Sequence, residues 1–76
     1  MPLDKAPQGE AVSVVRVMGD AKTRRHLENL GIMSGSELVK LSVSDGNMIV
    51  RVHDSRIALN RAMAENIIVR KSPIFA

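Results

Sequence analysis

The segment RHLENLGIMSG at residues 25–35 constrains the fold of this chain more than any other stretch. Leu27 and Leu30 are three residues apart and therefore share one face of a helix. Gly31 follows where helices commonly end in a left-handed backbone conformation, and Ile32 can pack back onto that helix. Gly35 then precedes a strand-like run. This order predicts a helix, a glycine stop and a β-meander, which favours a small β-barrel with a helical insert, a fold that mostly serves binding.

The length and composition of the chain define its class. Its 76 residues predict one domain, with residues 1–8 as an extended lead-in and residues 72–76 as a tail. Cysteine is absent, which excludes disulfides and thiol chemistry. No apolar run approaches the roughly 20 residues that a bilayer-spanning helix needs, and residues 1–5 lack the apolar core of a signal peptide. We therefore expect a cytoplasmic protein without direct membrane insertion.

The first predicted strand covers residues 10–18, which are rich in valine. Val12 and Val14 are in phase with each other, whereas Val15 and Val17 are in the opposite phase. A strand that exposes one face would keep all four valines in phase. The slip therefore indicates either a β-bulge or two partly covered faces.

A helix and four further strands are predicted after this strand. Asp20 is a suitable N-cap for a helix over about residues 21–30, and Asn60 can cap a single helical turn at residues 62–64. The turn signal Asp-Gly-Asn at residues 45–47 joins two strands in a hairpin. The strands are predicted at residues 38–43, 48–53, 56–59 and 67–71.

The strand at residues 38–43 alternates in polarity. Val39, Leu41 and Val43 lie on one face, and Lys40 and Ser42 lie on the other. Together the segments predict a mainly β protein, a small SH3-like barrel of about five strands. A short helical insertion follows the first strand, and one helical turn precedes the last.

Three motifs in combination resemble the FeoA-like domain family. The first is Arg-x-Leu-x-x-Leu-Gly-Ile-x-x-Gly at residues 25–35, followed by Ile-Ala-Leu at 57–59 and Ala-x-x-Ile-x-Val at 64–69. The resemblance runs almost end to end and implies an SH3-like barrel with a helical insertion. It also implies a role beside the ferrous iron transporter FeoB, a membrane protein with a cytosolic GTP-binding domain.

The same resemblance offers an alternative function. Related domains form the C-terminal part of metal-dependent repressors, so a small regulatory domain that binds a transition-metal ion is the second hypothesis. The chain contains no segment for the winged helix that such repressors need. An accessory protein of ferrous iron uptake, which binds and modulates the FeoB-type transporter, therefore fits better.

The metal ligands that the chain offers are two histidines, His26 and His53, and eight carboxylates. His26 and Glu28 are two residues apart on the predicted helix and point in different directions. No His-x-x-x-His or Glu-x-x-His spacing occurs, so we expect two surface histidines and no required cofactor. Direct but weak binding of iron, manganese or zinc is the competing hypothesis. It predicts saturable shifts around His26 or His53 that vanish when both are replaced by alanine.

A cluster of basic side chains lies on the predicted helix, namely Lys22, Arg24, Arg25 and His26. Four basic groups in five residues cannot all face a core. They either steer the domain toward an acidic partner or form a solvated face, with Arg24 close to Glu28 one turn later. The sequence leaves both interpretations open.

Three further residues are candidates for partner binding. Met33 either packs in the core or projects from its loop as an adaptable apolar contact. Arg56 and Arg61 flank Ile-Ala-Leu at residues 57–59 and either line a binding groove or keep a short strand soluble. Polyproline recognition is excluded as their purpose, because such grooves are lined by aromatic side chains that this chain lacks.

Nucleic-acid binding and catalysis have little support in this sequence. The net charge is +3, and the only aromatic residue is Phe75, so stacking on bases is nearly excluded. No Ser-His-Asp order and no glycine-rich phosphate loop occurs, and we expect a protein that is not an enzyme. The oligomeric state does not follow from the sequence.

Overall fold

The computed structural model describes residues 1–72, so the predicted tail lies outside the described residues except for Ser72. Its elements are a 3₁₀ helix at Leu3–Lys5, β1 at Ala11–Val17, α1 at Ala21–Asn29, β2 at Glu37–Ser44, β3 at Asn47–Val52, β4 at Ser55–Asn60, α2 at Arg61–Glu65 and β5 at Ile67–Lys71. The five strands form one antiparallel sheet in the order β4-β3-β2-β1-β5. The predicted mainly β architecture, with a helix after the first strand and a helical turn before the last, is confirmed.

The two edges of the sheet are connected by helices instead of by a strand ladder. Helix α2 contacts β4, β5 and the 3₁₀ helix. Its N-cap is Asn60, whose side chain accepts a hydrogen bond from the Met63 backbone amide at 2.8 Å, as expected at this position. Within residues 1–72 neither helix is long and apolar enough to cross a bilayer.

The prediction of an extended lead-in is wrong for residues 3–5. These residues form a 3₁₀ turn, because the turn brings Leu3 and Ala6 to the same side and buries both of them. The residues before it are extended and pair with β5: the Val69 amide donates to the Met1 carbonyl at 2.7 Å. This pairing covers part of the outer edge of β5.

A β-bulge lies in β1, as the phase slip among its valines indicates. The register with β5 shifts between Val14 and Arg16. Val12 and Val14 are buried before the bulge, and Val17 packs against the core after it. Val15, within the bulge, is 44% exposed. The bulge therefore leaves Val15 and Arg16 both exposed and returns Val17 to the core face.

The buried face of β2 is the one that carries Lys40. Lys40 is opposite Val50 in β3, which is fully buried, and is itself only 7% exposed. Its ammonium group donates to the Asp4 carbonyl oxygen at 3.2 Å. A second register shift follows between Lys40 and Ser42, and Val43 beyond it is 53% exposed. The simple alternation predicted for this strand therefore ends at the shift.

The core is formed mainly by residues of the strands. Helix α1 contributes a single buried side chain, Leu27, and α2 contributes Ala64. The remaining buried apolar residues come from the strands, the 3₁₀ segment and the loop after α1: Leu3, Ala6, Val12, Val14, Ile32, Leu38, Met48, Val50, Val52, Leu59, Ile67 and Val69. Since α1 is held by one buried residue, most of its surface faces outward.

Candidate partner-binding surface

Asp20 is the N-cap of helix α1, as the sequence predicts. The backbone amide of Thr23 donates to the Asp20 carboxylate at 2.8 Å. Hydrogen bonds from Thr23 hold the pKa of Asp20 below its ordinary value of 3.8, and the nearby charge of Arg24 lowers it further. The cap is therefore strongest when Asp20 is ionised.

Replacing Asp20 by asparagine should remove a pH dependence of the protein's stability while keeping the helix cap. A lowered carboxyl pKa adds stability above the pKa of the unfolded state, and this stability is lost as the pH falls through the folded-state pKa. We expect the native protein to lose stability relative to Asp20→Asn below about pH 4, in denaturant unfolding from pH 7 to pH 2. Asp54→Asn is a control for an exposed carboxylate outside a cap. If the difference in free energy of unfolding between the native protein and Asp20→Asn stayed the same from pH 7 to pH 2, the ionised Asp20 would not be the stabilising form of the cap.

Helix α1 ends in a Schellman motif at Gly31. Gly31 has a φ of +90°, and its amide donates to the Glu28 carbonyl at 2.9 Å. The Ile32 amide donates to the Leu27 carbonyl at 2.9 Å, and both side chains are fully buried. Leu30 is partly buried against the same core. The chain therefore leaves α1 in a fixed direction.

The loop after α1 is hydrogen-bonded to the bulge of β1. The Gly35 amide donates to the Val14 carbonyl at 2.8 Å, and the Ser34 hydroxyl donates to the Val15 carbonyl at 3.0 Å. Ser36 closes the loop: its hydroxyl donates to the Gly31 carbonyl at 2.8 Å and accepts from the Met33 amide at 3.1 Å. Sequence reasoning missed both serines. Hydroxyl groups among glycines in a short turn were the available signal.

An exposed basic surface extends along α1 to this loop. Lys22, Arg24 and Arg25 are all exposed, and Met33 is 44% exposed. The structure therefore brings together four of the six side chains predicted to bind a partner. We call this region the α1 surface.

Three adjoining depressions make the α1 surface continuous. The first has a volume of about 430 Å³ and is lined by Ala21, Lys22, Arg25, His26 and Asn29. The second, of about 260 Å³, is lined by Ala21, Arg24, Arg25 and Glu28. The third, of about 250 Å³, is lined by Val15, Arg16, Val17, Arg24, Glu28, Met33 and Ser34. Each neighbouring pair shares two lining residues, so one partner could contact all three.

The other two candidates, Arg56 and Arg61, lie elsewhere. Arg56 is opposite Arg51 on the β3–β4 ladder. Arg61 begins α2 and lines a separate depression of about 280 Å³ with Asp4, Lys5, Val43, Gly46 and Met48. Neither arginine is among the residues that line the depressions of the α1 surface. The six predicted residues therefore do not form a single surface.

The two histidines are in different surroundings. His26 lies on the α1 surface beside Lys22 and Arg25. His53 is in the β3–β4 turn with a φ of +56° and lines a depression with Glu37, Val39 and Arg51. Within residues 1–72, no three or more His, Asp or Glu side chains are grouped so that they could hold a metal ion. Direct metal binding through these histidines stays a prediction.

Solved structures with this fold include proteins of iron transport and metal-dependent regulation. The crystal structure of an iron uptake regulatory protein, FeoA, has a TM-score of 0.87 and 26% identity, and the match covers 95% of this chain and 97% of that one. Two others are under 25% identical and show the fold alone. Stenotrophomonas maltophilia FeoA complexed with zinc, a prokaryotic SH3 domain protein, has a TM-score of 0.80, 24% identity and coverage of 92% and 89%. A manganese-dependent transcriptional repressor has a TM-score of 0.85 and 22% identity, over 96% of this chain and 41% of the repressor.

Comparison of sequences finds relatives of the same kind as comparison of structures. A Methanocaldococcus jannaschii protein named Fe(2+) transport protein A is 32% identical over 68 residues, which are 90% of this chain and 83% of the relative. The FeoA domain family matches residues 1–71, which include every helix and strand described above. The resemblance of the Leu-Gly-Ile loop and the later strand motifs is thus confirmed over the whole domain, and the chain belongs to the FeoA domain family.

Proposed function

We propose that this protein is a cytosolic accessory of ferrous iron uptake that binds the cytosolic part of a FeoB-type transporter through the α1 surface and changes its activity. Membership of the FeoA domain family supports the connection to Fe(2+) transport. The observation that carries the choice of surface is the exposed basic face of α1, which continues into the Met33 loop. The protein acts by contact and performs no catalysis of its own.

The charge of α1 suits an acidic partner. Lys22, Arg24 and Arg25 are exposed, and Glu28 is the only acidic residue within the helix. Charges of one sign on an exposed face raise the association rate with an oppositely charged surface, and salt screens the effect over about 10 Å at 0.1 M ionic strength. We therefore expect the affinity for the transporter to fall as salt is added.

Reversing two charges on α1 tests this proposal. The double variant Arg24→Glu, Arg25→Glu should bind the purified cytosolic domain of the FeoB-type transporter from the same organism at least about tenfold more weakly. The measurement is a binding titration with immobilised transporter domain. The matched control is Arg70→Glu, Lys71→Glu, an exposed basic pair in β5 with the same change in net charge. The control should bind within about twofold of the native protein.

Two results would count against the proposal. Equal binding by the native protein and the α1 variant would place the interface elsewhere on the domain. Equal weakening by the α1 pair and the β5 pair would mean that net charge, and not the α1 surface, decides the affinity. Thermal unfolding of each variant shows whether it is folded, since exposed substitutions of this kind usually change stability by less than about 0.5 kcal/mol.

A further inference from the structure

We propose that the third depression, between α1 and the bulge of β1, holds one apolar side chain of a partner segment whose neighbouring residues are acidic. We call this depression the α1/β1 groove. Val15, Val17 and Met33 provide its apolar wall, and Arg16 and Arg24 lie among its lining residues. The inference rests on the proposed function, because it names the contact that the transporter's cytosolic domain would make with the α1 surface.

The bulge in β1 places Arg16 on the exposed side beside Val15. Regular alternation after Val14 would place Arg16 on the buried face, but the register shift lets Val17 pack there instead. Val15 is left 44% exposed, and Met33 from the loop after α1 is 44% exposed in the same groove. Bulges commonly re-aim side chains at functional positions. Single exposed apolar residues are ordinary, but these two line the same groove, where one partner side chain would contact both.

The walls of the groove are held together by hydrogen bonds. The Ser34 hydroxyl donates to the Val15 carbonyl at 3.0 Å. The Val14 amide donates to the Ser36 carbonyl at 2.8 Å, and the Gly35 amide donates to the Val14 carbonyl at 2.8 Å. The loop and the bulged strand are therefore already in position. A preorganised groove lowers the entropy lost when a partner binds.

The charges around the groove determine the kind of partner. Its lining residues include two arginines, Arg16 and Arg24, and one acidic residue, Glu28. The adjoining depression, which shares Arg24 and Glu28, adds Arg25. Guanidinium groups pair with carboxylates through two parallel hydrogen bonds, so acidic residues beside an apolar anchor would complement this rim. This positive rim favours an acidic protein segment over a basic one.

The size of the groove limits its occupant. Its volume is about 250 Å³, below the roughly 300–1,000 Å³ of typical small-molecule sites. A single large side chain is therefore a better match than a whole ligand. Such an anchor, surrounded by charged contacts, is a common arrangement at protein interfaces.

Substitutions at Val15 test the groove in two ways. Val15→Glu removes the apolar contact and repels an acidic segment, whereas Val15→Lys removes the contact but keeps the attraction. In titrations of full-length protein with the transporter's purified cytosolic domain, we expect Val15→Glu to weaken binding at least about tenfold and Val15→Lys clearly less. Val43→Glu is the matched control, because Val43 is a strand valine that is 53% exposed and lines a different depression. It should bind within about twofold of the native protein.

The outcomes separate this inference from the proposed function. Native binding by Val15→Glu would overturn the groove and leave the transporter as partner, and no binding by the native protein would overturn both. Equal weakening by Val15→Glu and Val15→Lys would overturn the acidic character of the partner. If Val15→Glu changed only self-association in sedimentation, the occupant would be a second copy and the inference would fail. If Val15→Glu is unfolded, Met33→Glu repeats the test, because Met33 lines the same groove from a loop and not from a strand.

Discussion

Replacing Gly31 by valine is expected to destabilise the protein by about 3 kcal/mol. Gly31 has a φ of +90°, which a β-branched residue adopts only with strain. A Cβ atom at this position would also lie 3.3 Å from Cγ1 of Val52, a core residue that is 1% exposed. The variant therefore combines backbone strain with overpacking. Since small domains are stable by only about 5–15 kcal/mol, the loss would be a large fraction of the total.

Gly35→Val separates the two contributions. Gly35 has a φ of +93°, nearly that of Gly31, but no atom lies within 4 Å of a Cβ built there. We expect backbone strain alone to cost about 1–2 kcal/mol at this position. The free energies of unfolding of both variants would be measured in denaturant. Equal losses of stability in the two variants would show that crowding against Val52 adds nothing to the cost at Gly31. An unchanged stability of Gly31→Val would mean that Gly31 is not a required left-handed stop.

The second large effect is expected at Lys40. The Lys40 side chain is only 7% exposed, and its ammonium group donates to the Asp4 carbonyl oxygen. Oδ1 of Asp4 is buried with no hydrogen-bond partner among residues 1–72. Lys40→Glu places a carboxylate among these acceptors, and we expect it to cost about 3 kcal/mol or more. Lys40→Met keeps an unbranched chain of similar length and removes one donor. Its expected cost is about 0–1.5 kcal/mol.

Denaturant unfolding of the two Lys40 variants measures this difference, with Lys71→Glu as control. Lys71 is an exposed lysine of β5, so the control makes the same change of charge outside the core and should stay within about 0.5 kcal/mol of the native protein. A Lys40→Glu variant as stable as Lys40→Met would show that this position tolerates a carboxylate as well as an apolar chain. The Asp4 contact would then be incidental to stability.

Most of the local structure around α1 could be predicted from the sequence. Asp20 and Thr23 are three residues apart, and the bonds that close the helix at Gly31 and Ile32 reach back three and five residues. Interactions over so few residues depend on local chain geometry, so residue type and spacing are enough to predict them. The same holds for Asn60 and α2. The family motifs occur in these local segments, which explains why the resemblance could be seen in the sequence alone.

The candidate surface could be predicted only in part. Lys22, Arg24 and Arg25 were found because a short basic helix cannot bury all its charges. The valine phases in β1 indicated a bulge but left open which face was covered, and so did not predict that Val15 is exposed beside Met33. Arg61 is predicted to line a groove with Arg56 or to keep a short strand soluble, but the fold places it in a depression that Arg56 does not line. The distances between elements depend on contacts that are remote in sequence.

The sequence by itself determined the two α-helices and five strands, their order along the chain, the caps of both helices and the left-handed stop at Gly31, since most of these depend on neighbours within about one helical turn or one hairpin. Only the tertiary structure decided that Arg16 is exposed while Val17 packs against the core, and that Val43 lies on the face of the buried Met48. The physical reason is that side chains alternate with a period of two along a strand, so a register shift of one residue reverses the face of every residue beyond it. The two shifts are defined by pairing of β1 with β5 and of β2 with β3.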